Sequence, residues 1–397
     1  MVQLSNRLNR LAPSATLAMS QKSREMKAQG IDVINMSVGE PDFNTPEHIK
    51  EAGKKAIDEN FSKYSPVPGY LPLREAIVNK LKNENGLDYK TSEVMVSTGG
   101  KQAVCNTILA LVNEGDEVII PAPYWVSYPQ MVKLGGGVPV ILRAGFEQDF
   151  KINPEQLESA ITPRTKMLIL CSPCNPSGSV YSREELKALA DVLKKHDNIF
   201  VLSDEIYEHI NYIGQCNSIA QFPGMKERTI ICNGVSKAYA MTGWRLGWMA
   251  APEWIVKGCS KLQGQYTSGA SSVSQQAAIE AYTGDQKNVE DYRKAFERRR
   301  DIIVKLLKGI PGLEVNLPEG AFYVFPKCCS YFGKSNGKWT IRNSTDFALY
   351  LLEVAHVATV GGDAFGDPDG FRISYATSDS NIEEAMKRIK NALGRLK

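Results

Sequence analysis

In "NGVSKAYAMTGWRLGW", residues 233 to 248, Lys237 and Arg245 stand in apolar company directly after Thr229-Ile230-Ile231-Cys232. A lysine in desolvated surroundings holds its proton weakly, so Lys237 is a candidate amine nucleophile toward a carbonyl. Ser236 and Arg245 add a hydroxyl and a charge suited to a phosphate. Upstream, "VLSDEIYEHI" ends an almost wholly apolar run on Asp204, where a carboxylate is costly unless a cation or donor meets it. Tyr207 follows closely enough to share that site. In "STGGKQAV", Gly99 and Gly100 free the backbone just where a helix begins, an arrangement that aims N–H groups at an anion. "APYWVSY" offers Tyr124 and Trp125 as stacking rings, and the two prolines of "SPCNPSG" hold Asn175 where it can donate to a ligand oxygen. Each motif also has a plain structural use: a glycine turn, a core aromatic, a turn asparagine or an N-capping aspartate.

The elements that must position these residues are legible. Apolar, β-rich runs at 94–97, 117–121, 138–142, 166–171, 199–203, 229–232 and 246–250 alternate with amphipathic stretches such as 102–111 and 183–196. That alternation predicts an α/β fold, a mostly parallel seven-stranded sheet covered by helices. In such sheets ligands gather beyond the carboxyl ends of the strands, which is where every motif above falls. A long charged helix is expected from about 286 to 308, acting as a connector. "GLEVNLPEGAFYVFPK" and "GFRISYA" read as strands of a smaller α+β unit that ends in a helix over 381–393. The predicted division is a large domain, 48–287, and a small domain from both chain ends, 1–47 and 288–397.

With 397 residues, 23% charged residues and a net charge of +3, the chain carries no nucleic-acid footprint, and its Arg298-Arg299-Arg300 run is flanked by Glu297 and Asp301. No apolar run reaches bilayer length, and "MVQLSNRLNRLAPSA" lacks the apolar core of a signal peptide, which predicts a cytoplasmic protein without a membrane partner. The eight cysteines include Cys171-x-x-Cys174 and Cys328-Cys329, but no second pair or His-x-x-x-His completes a metal site, so reduced thiols and no metal are expected. No GxGxxG follows a strand, and Gly135-Gly136-Gly137 precedes one, which weighs against a dinucleotide-binding dehydrogenase.

An aspartate at one end of a ring, a lysine at its aldehyde and a phosphate cradle beyond describe pyridoxal 5′-phosphate. With "PSAT", "GEPDF", "KYSPVPGYLPLREAI", "GGKQA", "PYWVSYP", "NPSG", "SDEIYEHI", "SKAYAMTGWRLGW", "GAFYVFP" and "FRISYATS" on the page, nearly the whole chain resembles the fold-type I pyridoxal-phosphate aminotransferases, in particular the bacterial Iβ aspartate aminotransferases. The resemblance implies a Schiff base on Lys237, which then shuttles the substrate proton. It implies Asp204 on the pyridine nitrogen, Tyr207 and Asn175 on the ring's phenolic oxygen, and Trp125 stacked on the ring. Gly100, Lys101, Ser236 and Arg245 fall in the phosphate cradle, and Tyr64 of "KYSP" reaches it from the second subunit of a homodimer. Arg372 takes the α-carboxylate as a bidentate pair that lysine could not make, with a backbone contact from Gly39. It also implies that Lys101, helped by the hydroxyl of Ser14 or Thr16, meets the distal carboxylate of a dicarboxylic substrate. The implied reaction is a ping-pong exchange between L-aspartate and 2-oxoglutarate. The alternative is an aromatic, prephenate or broad-specificity aminotransferase; relatives that take prephenate tend to carry a lysine just before "PSAT", where this chain has Ala12. A DNA-binding regulator on the same fold would need a helix-turn-helix ahead of "PSAT", for which the sequence leaves no room.

Overall fold

The structure, a computed structural model, describes residues 4–214 and 216–397. Its twelve described strands are β1 (Ile34–Asn35), β2 (Val94–Ser97), β3 (Glu117–Ala122), β4 (Val138–Arg143), β5 (Thr165–Cys171), β6 (Phe200–Asp204), β7 (Thr229–Gly234), β8 (Gly247–Ala250), β9 (Tyr323–Val324), β10 (Val357–Ala358), β11 (Val360–Gly361) and β12 (Phe371–Ser374). Seven of them form one sheet in the order β2-β8-β7-β6-β5-β3-β4. All neighbours are parallel except β8, which runs antiparallel to both β2 and β7. This is the expected α/β sheet. The strands are Val-, Ile- and Leu-rich because helices cover both faces, and the central ones are buried along their length.

Helix starts follow from local chemistry. Ser182 accepts from the Glu185 amide while the Glu185 carboxylate accepts from the Ser182 amide, opening the helix Arg183–Leu193. Asn153 and Gln156 do the same for Pro154–Ala160.

Register places the functional strand ends level with one another. Cys171 pairs with Asp204, and Asp204 with Cys232, so β5, β6 and β7 release their following loops from one edge. Gly247 is paired with both Ser97 and Gly234, and a Cβ there would lie 2.2 Å from the Gly100 amide nitrogen. The close approach of β8 to the helix Gly100–Leu111 therefore requires glycine.

The helix Lys287–Lys308 packs Phe296, Ile303, Val304 and Leu307 into a second core with Ile382, Met386 and Ile389 of the helix Asp379–Leu393. Around it lie the antiparallel sheet β11-β12-β9 and the parallel pair β1-β10. The strands expected in "GLEVNLPEGAFYVFPK" shrink to Tyr323–Val324 plus an isolated Glu314–Lys327 bridge, because Pro318 and Pro326 cannot donate to a ladder. Arg299 ties the N-terminal segment to this unit, giving 2.7 and 3.0 Å bonds to the two Asp42 carboxylate oxygens and one of 3.3 Å to Asp379. Among the described residues no helix is long and apolar enough to cross a membrane.

Candidate active site

A cavity of about 360 Å3 opens where the strand ends meet the N-terminal segment and β12. Ser14, Thr16, Gly39, Gly100, Lys101, Trp125, Asn175, Asp204, Tyr207, Ser236, Lys237, Arg245 and Arg372 all line it, so every expected site residue converges there except Tyr64. Tyr64 is 95% exposed and stands outside the cavity. Tyr124, read as a stacking candidate, turns away to pack on Gly366, leaving Trp125 at the wall.

Lys237 follows β7 in a loop whose backbone is forced by its neighbours. Ala240 and Arg245 hold φ values of 50° and 53°, left-handed conformations that strain side-chain-bearing residues and collect at functional sites. Thr45 Oγ1 donates to the Ala240 carbonyl at 2.8 Å, and Trp244 Nε1 donates to Thr45 Oγ1 at 3.1 Å, fastening the loop to the N-terminal segment. The Lys237 ammonium donates to the Gly39 carbonyl at 2.6 Å. Burial pulls its pKa down to about 8; Glu40 and Asp204 oppose the fall, while Arg372 and Arg245 add to it. The lysine is thus poised to lose its proton near neutral pH.

Asp204, at the end of β6, is buried, and burial raises its pKa. Two donors hold the carboxylate: Tyr128 Oη at 2.6 Å and the Ile206 amide at 3.3 Å. Tyr128 stands edge-on to Trp125, with centroids 5.2 Å apart, so one aromatic pair both braces the aspartate and presents a ring face to the cavity. Tyr207 shares a 2.7 Å hydrogen bond with Tyr323. Tyr323 also explains Gly39, since a Cβ at that glycine would meet the Tyr323 hydroxyl at 2.1 Å.

On β12, Arg372 is 2% exposed, and burial lowers its pKa. It donates to Asn175 Oδ1 at 2.9 Å and to the Ser37 carbonyl, while the faces of Tyr323 and Phe365 flank the guanidinium at 4.7 and 5.0 Å. Its Nε has no partner in the structure. A buried guanidinium without a carboxylate is one prepared for an anionic guest. A second cation enters with the first turn of the helix Gly100–Leu111. Lys101 lies 5.0 Å over the Trp125 ring, and burial, then Arg245, lower its pKa. Ser14 caps the helix Ala15–Ala28 by accepting from the Leu17 amide, which leaves its hydroxyl proton free for the cavity.

Gly99 holds φ at 80°, and a Cβ there would lie 2.4 Å from Arg245 Nη2. Backbone amides, the helix start, Ser236 and Arg245 together make an anion cradle that a side chain at 99 would fill. Tyr128 and Tyr323 were missed by the sequence reading, along with Glu40 and Thr242, which are hydrogen-bonded to each other on the cavity wall. Both tyrosines sit inside motifs already singled out, "PYWVSYP" and "GAFYVFP", but no spacing rule points their hydroxyls at Asp204 and Tyr207.

Comparison with known proteins agrees with this geometry. The family model described as aminotransferase class I and II matches residues 31–389. The chain is 49% identical to an aspartate/prephenate aminotransferase of Cereibacter sphaeroides over 98% of both chains. It is 47% identical to a bifunctional aspartate aminotransferase and glutamate/aspartate-prephenate aminotransferase of Petunia hybrida, over all of this chain and 84% of that one. Among solved structures, the aspartate aminotransferase of Rhizobium meliloti superposes with a TM-score of 0.96 at 44% identity, covering all of both chains. That of Thermus thermophilus, solved with maleate, gives 0.93 at 41% identity over 99% and 100%. The chain belongs to the class I and II aminotransferases.

Proposed function

We propose that this chain is an aspartate aminotransferase, converting L-aspartate and 2-oxoglutarate to oxaloacetate and L-glutamate by a ping-pong route that uses pyridoxal 5′-phosphate. The observation that carries the reading is the meeting, in one cavity, of a half-buried lysine of lowered pKa, a buried carboxylate and two cations on different walls, Arg372 and Lys101. The residues fit the cofactor. Asp204 is a buried carboxylate with donors but no cation bonded to it, which a pyridinium N–H would complete. The cradle at Gly99, Gly100, Ser236 and Arg245 suits a phosphate.

When bound, pyridoxal 5′-phosphate supplies a carbonyl that accepts an amino group and a ring that withdraws electrons from the breaking bond. The chain's own groups do the rest. Lys237, neutral near pH 8, takes the proton from the substrate Cα and returns it on the other side of the exchange. Asp204, braced by Tyr128, keeps the ring nitrogen protonated, and Trp125 bounds one face. Tyr207 and Asn175 would hold the ring's phenolic oxygen. Arg372, oriented by Asn175 Oδ1, clamps the α-carboxylate with Gly39 beside it. Lys101 and Ser14 meet the distal carboxylate.

The active form is a homodimer in which Tyr64 reaches the phosphate of the neighbouring site; its 95% exposure and its place outside its own cavity support this. The large unit 48–287 and the small unit 1–47 with 288–397 close on the substrate as domains, and the protein works in the cytoplasm. A second reading, prephenate as a further amino acceptor, is favoured by the names of the relatives and disfavoured by Ala12. The test is the first half-reaction of the purified loaded protein with aspartate and, separately, with phenylalanine, followed by the change in visible absorbance. Faster reaction with aspartate supports the two-carboxylate clamp. A phenylalanine rate as high or higher replaces this reading with an aromatic or broad-specificity aminotransferase.

A further inference from the structure

Two thiols at the cavity wall have no part in that chemistry. Cys171 is the last residue of β5, in register with Asp204, and lines the main cavity. Cys174 stands three residues on, immediately before Asn175, whose Oδ1 orients Arg372 at 2.9 Å. Both cysteines border one small void next to the cavity together with Tyr128 and Tyr181, and each influences the ionisation of the other. Each thiol also faces a proline carbonyl, Cys171 that of Pro173 at 3.5 Å and Cys174 that of Pro123 at 3.7 Å. Among the described residues all eight cysteines are free, and none belongs to a metal-ligand cluster.

We propose that Cys171 and Cys174 form a reversible oxidation site, a dithiol that a hydroperoxide reaching the small void they share converts to a disulfide, displacing Asn175 and with it the anion-binding arginine. The order of attack follows from the surroundings. The hydrogen bond from Cys171 lowers the pKa of Cys174 against its burial, whereas Cys171 is held as a thiol by that same bond, by burial and by Asp204. The Cys174 thiolate attacks the hydroperoxide, the O–O bond breaks, and Cys174 becomes a sulfenic acid with release of water or an alcohol. The Cys171 sulfur then attacks the Cys174 sulfur, the S–O bond breaks, and a second water leaves as the S–S bond forms. The two thiols give up two electrons and the hydroperoxide takes them. A two-residue separation between the cysteines is the spacing used by thiol–disulfide proteins. The consequence for Arg372 rests on the aminotransferase reading, while the disulfide itself does not.

The experiment treats cofactor-free and cofactor-loaded protein with hydrogen peroxide, alkylates with iodoacetamide and maps the tryptic peptide 167–183, which holds both cysteines. The expected product lacks two hydrogens and both alkyl groups, forms faster in the cofactor-free protein, and reverts with dithiothreitol. Transamination of aspartate falls about tenfold or more, mainly through KM, as expected when an orienting hydrogen bond to a charged group is lost, and recovers on reduction. Cys174→Ser keeps its activity before oxidation and no longer loses it reversibly. Alkylation of both thiols after peroxide treatment overturns the proposal, as does a disulfide that leaves KM unchanged. Fresh reduced protein that fails to transaminate aspartate would instead count against the aminotransferase reading, whatever the thiols do.

Discussion

Tyr128→Phe removes one hydroxyl and leaves the ring that packs edge-on to Trp125. The lost bond, 2.6 Å from Tyr128 Oη to Asp204 Oδ2, ends on a buried carboxylate. Hydrogen bonds to charged groups are worth about 1.5–3 kcal/mol, so losing this one should drive the Asp204 pKa further up. The direction is upward because burial already raises this pKa and Tyr128 is the largest influence opposing it. The ionised aspartate is the form that pairs with a protonated ring nitrogen, so cofactor affinity should weaken first on the acid side. Titrating cofactor-free protein with pyridoxal 5′-phosphate between pH 5 and 9, read by tryptophan fluorescence, should show the acid limb of affinity displaced to higher pH. At alkaline pH the variant and the parent should converge. A loss of equal size at every pH would refute the electrostatic role of Tyr128 and reduce it to packing, and an unmoved profile would refute the bond's importance altogether.

Lys237→Met should abolish transamination, yet stabilise the cofactor-free protein at pH 7 by up to roughly 3 kcal/mol, since the lysine's pKa falls from 10.5 to about 8 on folding. For a cation whose folded pKa is depressed, the penalty is complete below pH 8 and fades as pH rises toward 10.5; urea unfolding across that window should show the two proteins converging, and a variant less stable at pH 7 contradicts the desolvation argument. Lys101→Ala should cut kcat/KM for aspartate by about a hundredfold and for phenylalanine by less than about fivefold, and equal losses would remove Lys101 from the distal carboxylate. Arg372→Lys should raise KM for every amino acid substrate about tenfold or more, because an ammonium cannot reproduce the bidentate fork; an unchanged KM would place the α-carboxylate elsewhere. Gly99→Ala puts a methyl group 2.4 Å from Arg245 Nη2 at a φ of 80°, and should weaken both cofactor binding and the thermal protection given by inorganic phosphate; retained protection would move the anion cradle away from this turn.

What the sequence made legible follows from which physics is local. Most of the sheet strands could be placed because buried parallel strands such as β3, β5, β6 and β7 are continuous runs of β-branched and leucine residues, and that signal needs no knowledge of partners. The two-residue strands of the smaller unit carry no such run: β9 and β11 form against β12, and β1 and β10 form only against each other. The site divides along the same line. Lys237 and Asp204 were legible because a charge in apolar surroundings is anomalous wherever the chain goes, whereas Arg372 came only from the resemblance carried by "FRISYATS". Tyr128 and Tyr323 were not, since a tyrosine near the core is ordinary until its hydroxyl is seen to meet a group 76 or 116 positions away.

The loop around Lys237 shows why the rest had to wait for the fold. Local rules assign left-handed backbone to glycine, yet here Ala240 and Arg245 adopt it although Gly243 stands between them. The strain is held by distant contacts: Thr45 on the Ala240 carbonyl, Trp244 on Thr45, and Glu40 on Thr242. Those contacts come from the same N-terminal segment whose Gly39 carbonyl accepts the Lys237 ammonium and whose Ser37 carbonyl accepts Arg372. The segment 37–45 is therefore the piece that sets Lys237 and Arg372 relative to each other. Its own residues are mostly small or polar, and nothing in their types announces that role; it comes from the backbone carbonyls they present, which every sequence has and only a fold can aim.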